Sequence, residues 1–251
     1  MEGPSLYLAA EQLQPFCGQK VMEVSGNTKT GKESLAGKKV KNIFSWGKHL
    51  VLQFDTFAVR IHFLLFGTFT ATINDNTVTG DYKKTQVPRL ALAFTNGTME
   101  TYNCSIKFIT GSNVKSTYDF SIDIMSPQWN AAQALQHTEM QAETEIADVL
   151  LDQEIFAGVG NIIKNEILST LKINPGTKTK HLQTAVLKAM VNEARSFSHQ
   201  FLEWRREFQL RAHLKTYQKN TCQHCGGKLV REKTGKRQRW SYYCPNCQPL
   251  E

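Results

Sequence analysis

Apolar residues recur along the chain in three successive rhythms, and each predicts a different architecture. Leu6, Leu8, Ala9, Leu13 and Phe16 lie close to helical spacing behind Pro4, so a short amphipathic helix opens the chain and stops at Cys17-Gly18. From Gly37 to about Ile122 the apolar positions shorten into alternating runs at 40–43, 50–54, 59–63, 68–71, 90–94 and 99–102, broken by Gly, Asn, Asp and Thr. That rhythm predicts antiparallel β-structure, a sandwich or barrel-like pair of sheets with the first helix at one end. Ser126-Pro127-Gln128-Trp129-Asn130 is a turn signal, and helical spacing then runs from Ala131 to about Leu210. The last long helix of this region places Val186, Ala189, Ala194, Phe197, Phe201, Trp204 and Phe208 on its buried side.

Within the helical region, residues 150–171 organise the rest. A helix from about 143 to 156 carries Ile146, Val149, Leu150 and Phe156, and Gly158 and Gly160 end it because glycine takes left-handed backbone angles freely. Asn161 then reads as the N-cap of a second helix carrying Ile162, Ile163, Glu166, Ile167 and Leu171, which stops near Asn174-Pro175-Gly176. A glycine turn feeding a helix N-terminus offers unpaired N–H groups and a partial positive charge to a phosphate oxygen. The same stretch is also legible as an ordinary glycine-capped helical hairpin. In the β region, Trp46-Gly47-Lys48-His49 predicts a hairpin turn that presents Lys48, and Leu64-Leu65-Phe66-Gly67 is either core strand or an exposed apolar wedge.

Composition narrows the chemistry. Thirty Lys and Arg against 22 Asp and Glu give a formal charge of +8 over 251 residues, which favours a polyanionic partner. No apolar run reaches bilayer length and no secretory layout opens the chain, so a soluble intracellular protein, cytoplasmic or nucleoid-associated and not membrane-bound, is expected. Of six cysteines, Cys17 and Cys104 stand alone, whereas Cys222-x-x-Cys225 and Cys244-x-x-Cys247 form two knuckles 18 residues apart. In a reducing compartment that spacing predicts one structural zinc held by four thiolates on a β-hairpin finger. Lys228, Arg231, Lys233, Lys236, Arg237 and Arg239 surround the finger with Trp240, Tyr242 and Tyr243, the composition of a nucleic-acid grip. An α-amine held at the first helix's N-terminus is easier to deprotonate, which makes Met1 a usable nitrogen nucleophile; an ordinary chain start is the simpler alternative.

The Glu-Gly-Pro start, the Gly47-Lys48 turn, the Ala157-Gly-Val-Gly-Asn161 hairpin and the ending from Arg239 through Cys244-Pro-Asn-Cys247-Gln resemble the formamidopyrimidine-DNA glycosylase and endonuclease VIII family, in order and over the whole chain. The resemblance implies an α+β protein: an N-terminal β-sandwich catalytic domain with a terminal helix (1–124), a helix–two-turn–helix DNA-binding domain (125–212) and a C-terminal β-hairpin zinc finger (213–251). It implies a monomer that clamps damaged duplex DNA, flips out the damaged base, releases it and nicks the strand. Position by position, Met1 supplies the amine that forms a Schiff base, Glu2 is the catalytic carboxylate, and Lys48 neutralises the lesion phosphate. Asn161, with the amides around Gly158 and Gly160, grips phosphate, Arg239 is the finger's arginine, and Glu166 is the structural carboxylate of the hairpin.

Two departures bear on the chemistry and two on the substrate. Methionine stands directly before Glu2 where the family carries a proline, so a primary amine would make the imine, and Ser5 replaces a second glutamate. A damaged-DNA-binding protein with impaired chemistry is therefore the competing expectation. His62-Phe63-Leu64-Leu65-Phe66-Gly67 resembles the endonuclease VIII wedge, in which Leu64, Leu65 and Phe66 would fill the gap left by the flipped base. The Asp-x-Arg-Arg-Phe-Gly segment of the purine-directed branch is absent, with Asn103-Cys104-Ser105-Ile106-Lys107-Phe108 in its place, so oxidised pyrimidines are favoured over 8-oxoguanine.

Overall fold

In the computed structural model, which describes residues 1–29, 31–80, 82 and 87–250, the chain forms two compact units, Met1–Asp119 and Phe120–Glu251. The first begins with α1 (Gly3–Gln12) and continues through β1 (Glu23–Ser25), β2 (Asn42–Trp46), β3 (His49–Gln53), β4 (Phe57–Ile73), β5 (Asn76–Thr79), β6 (Leu90–Phe94) and β7 (Gly97–Thr110). These strands pair antiparallel in the order β1-β6-β7-β4-β3-β2, with β5 also on β4. The expected sandwich is made from one continuous sheet, because β4 and β7 are long enough to serve both halves. Leu50, Leu52, Val59 and Ile61 from one half share a single core with Phe69, Ala71, Leu90, Leu92 and Met99 from the other, and Leu6, Ala9 and Leu13 of α1 close it.

Two predicted runs, 59–63 and 68–71, therefore belong to one strand. What separates them is a change of register between Phe63 and Thr68, where residues 64–67 face Asn103 alone across the ladder.

The second unit holds α2 (Ala131–Glu139), α3 (Ile146–Leu150), α4 (Asn161–Thr170), α5 (Thr184–Arg206), α6 (Leu210–His213) and the hairpin β8 (Val230–Thr234) and β9 (Arg239–Tyr243). Asn130 caps α2 by accepting from Gln133 N–H at 3.1 Å, which is why the helix starts directly after the turn signal. The helix expected over 143–156 is much shorter. Polar side chains take over its backbone groups: Asp152 accepts from Glu154 N–H, and Gln153 accepts from Gly158 N–H while donating to the carbonyls of Leu151 and Val159. The N-cap of α4 is Gly160, and Asn161 is the first helical residue.

The buried side of α5 is also rotated from the one expected. Leu187, Met190, Val191, Ala194, Phe197, Phe201 and Leu202 face inward, Ala189 faces out, and Phe208 lies beyond the helix end, 79% exposed with φ +58°. Among the described residues no helix is long and apolar enough to cross a membrane.

Candidate active site and nucleic-acid interface

In the first unit the chain start is tied to the body of the fold. Met1 packs on the sheet core, and Glu2 stands at the N-cap of α1, its carbonyl accepting from Leu6 N–H at 3.1 Å while its carboxylate makes no cap. Lys48 lies in the two-residue turn between β2 and β3, where Gly47 adopts φ +50° and Trp46 pairs with His49. His62 on β4 donates Nδ1–H to the Lys48 carbonyl at 3.0 Å.

Burial lowers the pKa of His62. The Lys48 carbonyl opposes that shift, whereas the charges of Lys48, the Met1 α-amine and Arg60 add to it. His49, beside it at 5.4 Å, is held down to about 4 by burial and then by Arg60 and His62. The field at His62 thus registers both the amine and Lys48. At neutral pH both imidazoles are uncharged, and His62 is fixed in the Nδ1–H tautomer.

The wedge sequence is at the surface. Leu64, Leu65 and Phe66 are 46%, 67% and 62% exposed, and Phe66 has φ +62°. Gly67 is required for space, since a Cβ there would stand 2.5 Å from the Asn103 carbonyl oxygen. Asn103, itself at φ +46°, closes the bulge by donating from its side chain to the Leu65 carbonyl. Of the two readings left open by the sequence, the exposed one holds. The segment from Asn103 to Phe108, where the purine-directed branch carries its arginines, lies within β7.

In the second unit, Gly158 has φ +103° and its N–H is taken by Gln153, whereas the N–H groups of Gly160 and Asn161 have no partner among the described residues. Asn161 donates from Nδ2 to the Trp240 carbonyl at 3.0 Å, and its Oδ1 is buried with no partner among the described residues. That bond places Asn161 beside β9, one residue from Arg239, whose exposed side chain has no ion-pair partner among the described residues. Arg231 lies over the Trp240 ring at 4.1 Å and Lys233 at 5.6 Å, so this face of the finger is cationic and aromatic.

Cys222, Cys225, Cys244 and Cys247 converge, with all four sulfurs within 4.8 Å of one another and pairs at 3.9 and 3.6 Å. A tetrahedron of thiolates at a Zn–S distance of about 2.3 Å has edges of about 3.8 Å, so the sulfurs are spaced to share one metal ion. Their titration fits that use. Burial opposes ionisation of Cys222, yet N–H bonds from Cys225 and His224 and the neighbouring thiols bring it down to about 7. Cys247 is pushed up to about 12 by its hydrogen bond with Cys225, by burial and by the Cys222 charge. All four can therefore ionise together only around a cation.

The helical part matches the formamidopyrimidine-DNA glycosylase H2TH domain over residues 122–205. Endonuclease 8-like 3 of Mus musculus is 30% identical over 205 residues, 80% of this chain and 33% of that protein. Endonuclease 8-like 2 of Bos taurus is 38% identical over 175 residues, 68% of this chain and 50% of that protein. The chain belongs to the formamidopyrimidine-DNA glycosylase and endonuclease VIII family. It spans a third to a half of the length of these curated family members. The family fold extends across the chain: a Lactococcus lactis formamidopyrimidine-DNA glycosylase bound to DNA containing an AP site superposes with a TM-score of 0.83 at 20% identity, covering 99% of this chain and 100% of that one.

Sequence reasoning missed several residues that shape these sites. In the sequence, His62 stands out only as a flank of the Leu64–Phe66 segment. Asp148, 8% exposed, accepts from Lys236 N–H at 2.6 Å and Arg237 N–H at 3.4 Å, so it holds the β8–β9 turn; a Cβ at Gly235 would stand 2.4 Å from that carboxylate. Lys164, fully buried, donates to Ser241 Oγ and the Trp240 carbonyl. A charged residue inside an apolar helix pattern was the available signal, since burial of a charge requires partners.

Proposed function

We propose that this chain is a DNA glycosylase with abasic-site lyase activity, acting on oxidised bases in duplex DNA with oxidised pyrimidines favoured. The chemistry is assigned to residues 1–124, the phosphate grip to 125–212, and a structural zinc on Cys222, Cys225, Cys244 and Cys247 to the finger at 213–251. The Met1 amine attacks C1′ of the damaged nucleotide as the base departs with its bonding electrons. Glu2 protonates the sugar ring oxygen, opening the ring to a Schiff base on Met1. Loss of a C2′ proton then expels the 3′ phosphate and leaves a nick. Lys48, Asn161, Arg239 and the N–H groups beyond Gly158 and Gly160 hold phosphates, while Leu64, Leu65 and Phe66 occupy the space of the extruded base.

The observation that carries this reading is geometric: His62 ties the Lys48 turn at 3.0 Å to the same β-core on which Met1 packs, with Glu2 beside Met1 at the N-cap of α1. Lys48 and a polarised phosphate set the sugar beside a nitrogen that is adjacent to Glu2 in the chain. Exposure of the apolar tripeptide supports base extrusion, and the absence of arginine from Asn103 to Phe108 supports the pyrimidine preference.

Borohydride reduction during incubation with abasic-site or thymine-glycol duplex tests the proposal. The expected product is a covalent protein–DNA adduct whose linkage maps to the Met1 peptide. Glu2→Gln should retain duplex binding and lose base release. Tight binding to damaged duplex with no adduct, from protein whose Met1 amine is free by intact mass, would favour the damage-binding reading.

A further inference from the structure

The finger hairpin is fastened to the helical part by the Asp148 carboxylate under the β8–β9 turn and by a cluster of α4 side chains under β9. In that cluster three donors meet on one oxygen. The Trp240 carbonyl accepts from Asn161 Nδ2 at 3.0 Å, Lys164 Nζ at 3.2 Å and Asn165 Nδ2 at 3.2 Å. A carbonyl oxygen has two lone pairs, so one donor is in excess.

The three are not equivalent. Lys164 is fully buried and its ammonium also donates to Ser241 Oγ at 2.7 Å, which in turn bonds Thr234 Oγ1 on β8 at 2.6 Å. Asn165 is 2% exposed and fixed at both ends of its amide, donating to the Asn161 carbonyl and accepting from Tyr242 N–H at 2.7 Å. Asn161 is half-buried, and its Oδ1 receives nothing among the described residues. It is the donor that can leave at least cost.

We infer that Lys164, with Asn165, is a positioning residue for the phosphate grip: it holds the Trp240 carbonyl and β9 in place so that Asn161 can turn its amide from Trp240 to a DNA phosphate while Arg239 stays presented beside it. The inference rests on the phosphate-gripping roles proposed above for Asn161 and Arg239. Without Lys164, Asn161 is needed to fill the second lone pair of the Trp240 carbonyl, and binding a phosphate would leave that oxygen with Asn165 as its single donor. Lys164 touches neither the DNA nor the reacting atoms; it acts through Asn161 and Arg239.

The test uses the full, zinc-loaded chain and a duplex carrying a tetrahydrofuran abasic analogue, with affinity measured over a salt series for wild type, Lys164→Met, Arg239→Ala and the double variant. Lys164→Met is expected to keep one zinc per chain, weaken binding about tenfold and reduce the slope of log affinity against log salt by about one, the signature of losing the Arg239 contact, the charged one of the two it supports. In the Arg239→Ala background the same substitution is expected to leave the salt slope where Arg239→Ala sets it and to cost clearly less than its full tenfold, because the charged contact it presents is already gone and only that of Asn161 remains to be lost.

A purely structural role would leave the salt slope unchanged and add its cost in full to that of Arg239→Ala, and that result overturns the inference. So does wild-type affinity in Lys164→Met. If Lys164→Met loses zinc, Ser241→Ala decides by the same two readouts, since it removes the ammonium's 2.7 Å acceptor with loss of one oxygen atom. Wild-type protein that binds the abasic duplex no better than intact duplex would remove the functional reading itself; loss of binding in Arg239→Ala with none in Lys164→Met removes the inference alone.

Discussion

Glu166 offers a sharp test of what holds the helical part to the finger. Its carboxylate, 2% exposed, accepts three backbone N–H groups from the segment leading into the first knuckle: Thr216 at 2.9 Å and Tyr217 at 2.7 Å on Oε1, and Lys215 at 2.9 Å on Oε2. Glu166→Gln preserves the volume but exchanges one acceptor for two donors. The better rotamer keeps the amide oxygen toward Thr216 and Tyr217 and turns the NH2 group against the N–H of Lys215. One bond to a charged group, worth about 1.5–3 kcal/mol, is lost, and two others fall toward the neutral value of about 0.5–1.5 kcal/mol. Lys215 is exposed enough for water to recover part of the loss, which sets the expected destabilisation at about 2–4 kcal/mol.

Urea unfolding of the zinc-loaded protein, read by tryptophan fluorescence, measures this as a lower midpoint at unchanged slope. Glu143→Gln is the control. That carboxylate, bridging Lys178 at 3.0 Å and Lys180 at 2.8 Å, is held at about 2 by those hydrogen bonds but is fully exposed, so at physiological salt its replacement should leave the midpoint in place. A shift for Glu166→Gln below about 0.5 kcal/mol would refute the reasoning, since surface substitutions reach that size without breaking any buried bond.

Three other perturbations have defined outcomes. His49 is half-buried and neutral with its pKa lowered to about 4, so unfolding takes up a proton between the ordinary imidazole value of 6.5 and 4. The stability it contributes is complete above 6.5 and is lost as pH falls through that window; melting temperature against pH should flatten there in His49→Phe, and an unchanged slope would contradict the assignment. Cys244→Ser should bind no zinc and lose protease resistance from about residue 213 onward, with zinc assayed by mass spectrometry; a full metal complement would refute the four-thiolate site. Leu65→Ala, at a 67% exposed position, should leave the melting temperature unchanged while weakening discrimination between abasic and intact duplex; a destabilised protein would mean the side chain belongs to the core.

The parts of the fold that could be read from the sequence are those whose cause is local. Leu90–Phe94 alternates and forms a strand with those bounds, and the cysteine knuckles meet as their spacing requires. The failures come from competition at longer range. The helix expected to reach residue 156 stops at Leu150 because Asp152 and Gln153 bind nearby backbone more effectively than the helix does. Residue type alone places Asn161 at the N-cap, but its amide is drawn to a carbonyl 79 residues away. Asp148, Lys164 and Asn165 were unreadable as site residues for the same reason. Each has its partner 75 or more residues along the chain, and no periodicity encodes such a pairing.

The Leu64–Gly67 bulge separates two demands that usually conflict. Its neighbours Phe63 and Thr68 are locked into the ladder on both sides, and the turn is set by Gly67 and Asn103, so the three side chains at its crest carry none of the sheet's cohesion. Their size and shape are therefore open to revision at no cost to the ladder beneath them, the one neighbour to be refitted among the described residues being Tyr82, which meets the Phe66 ring edge-on.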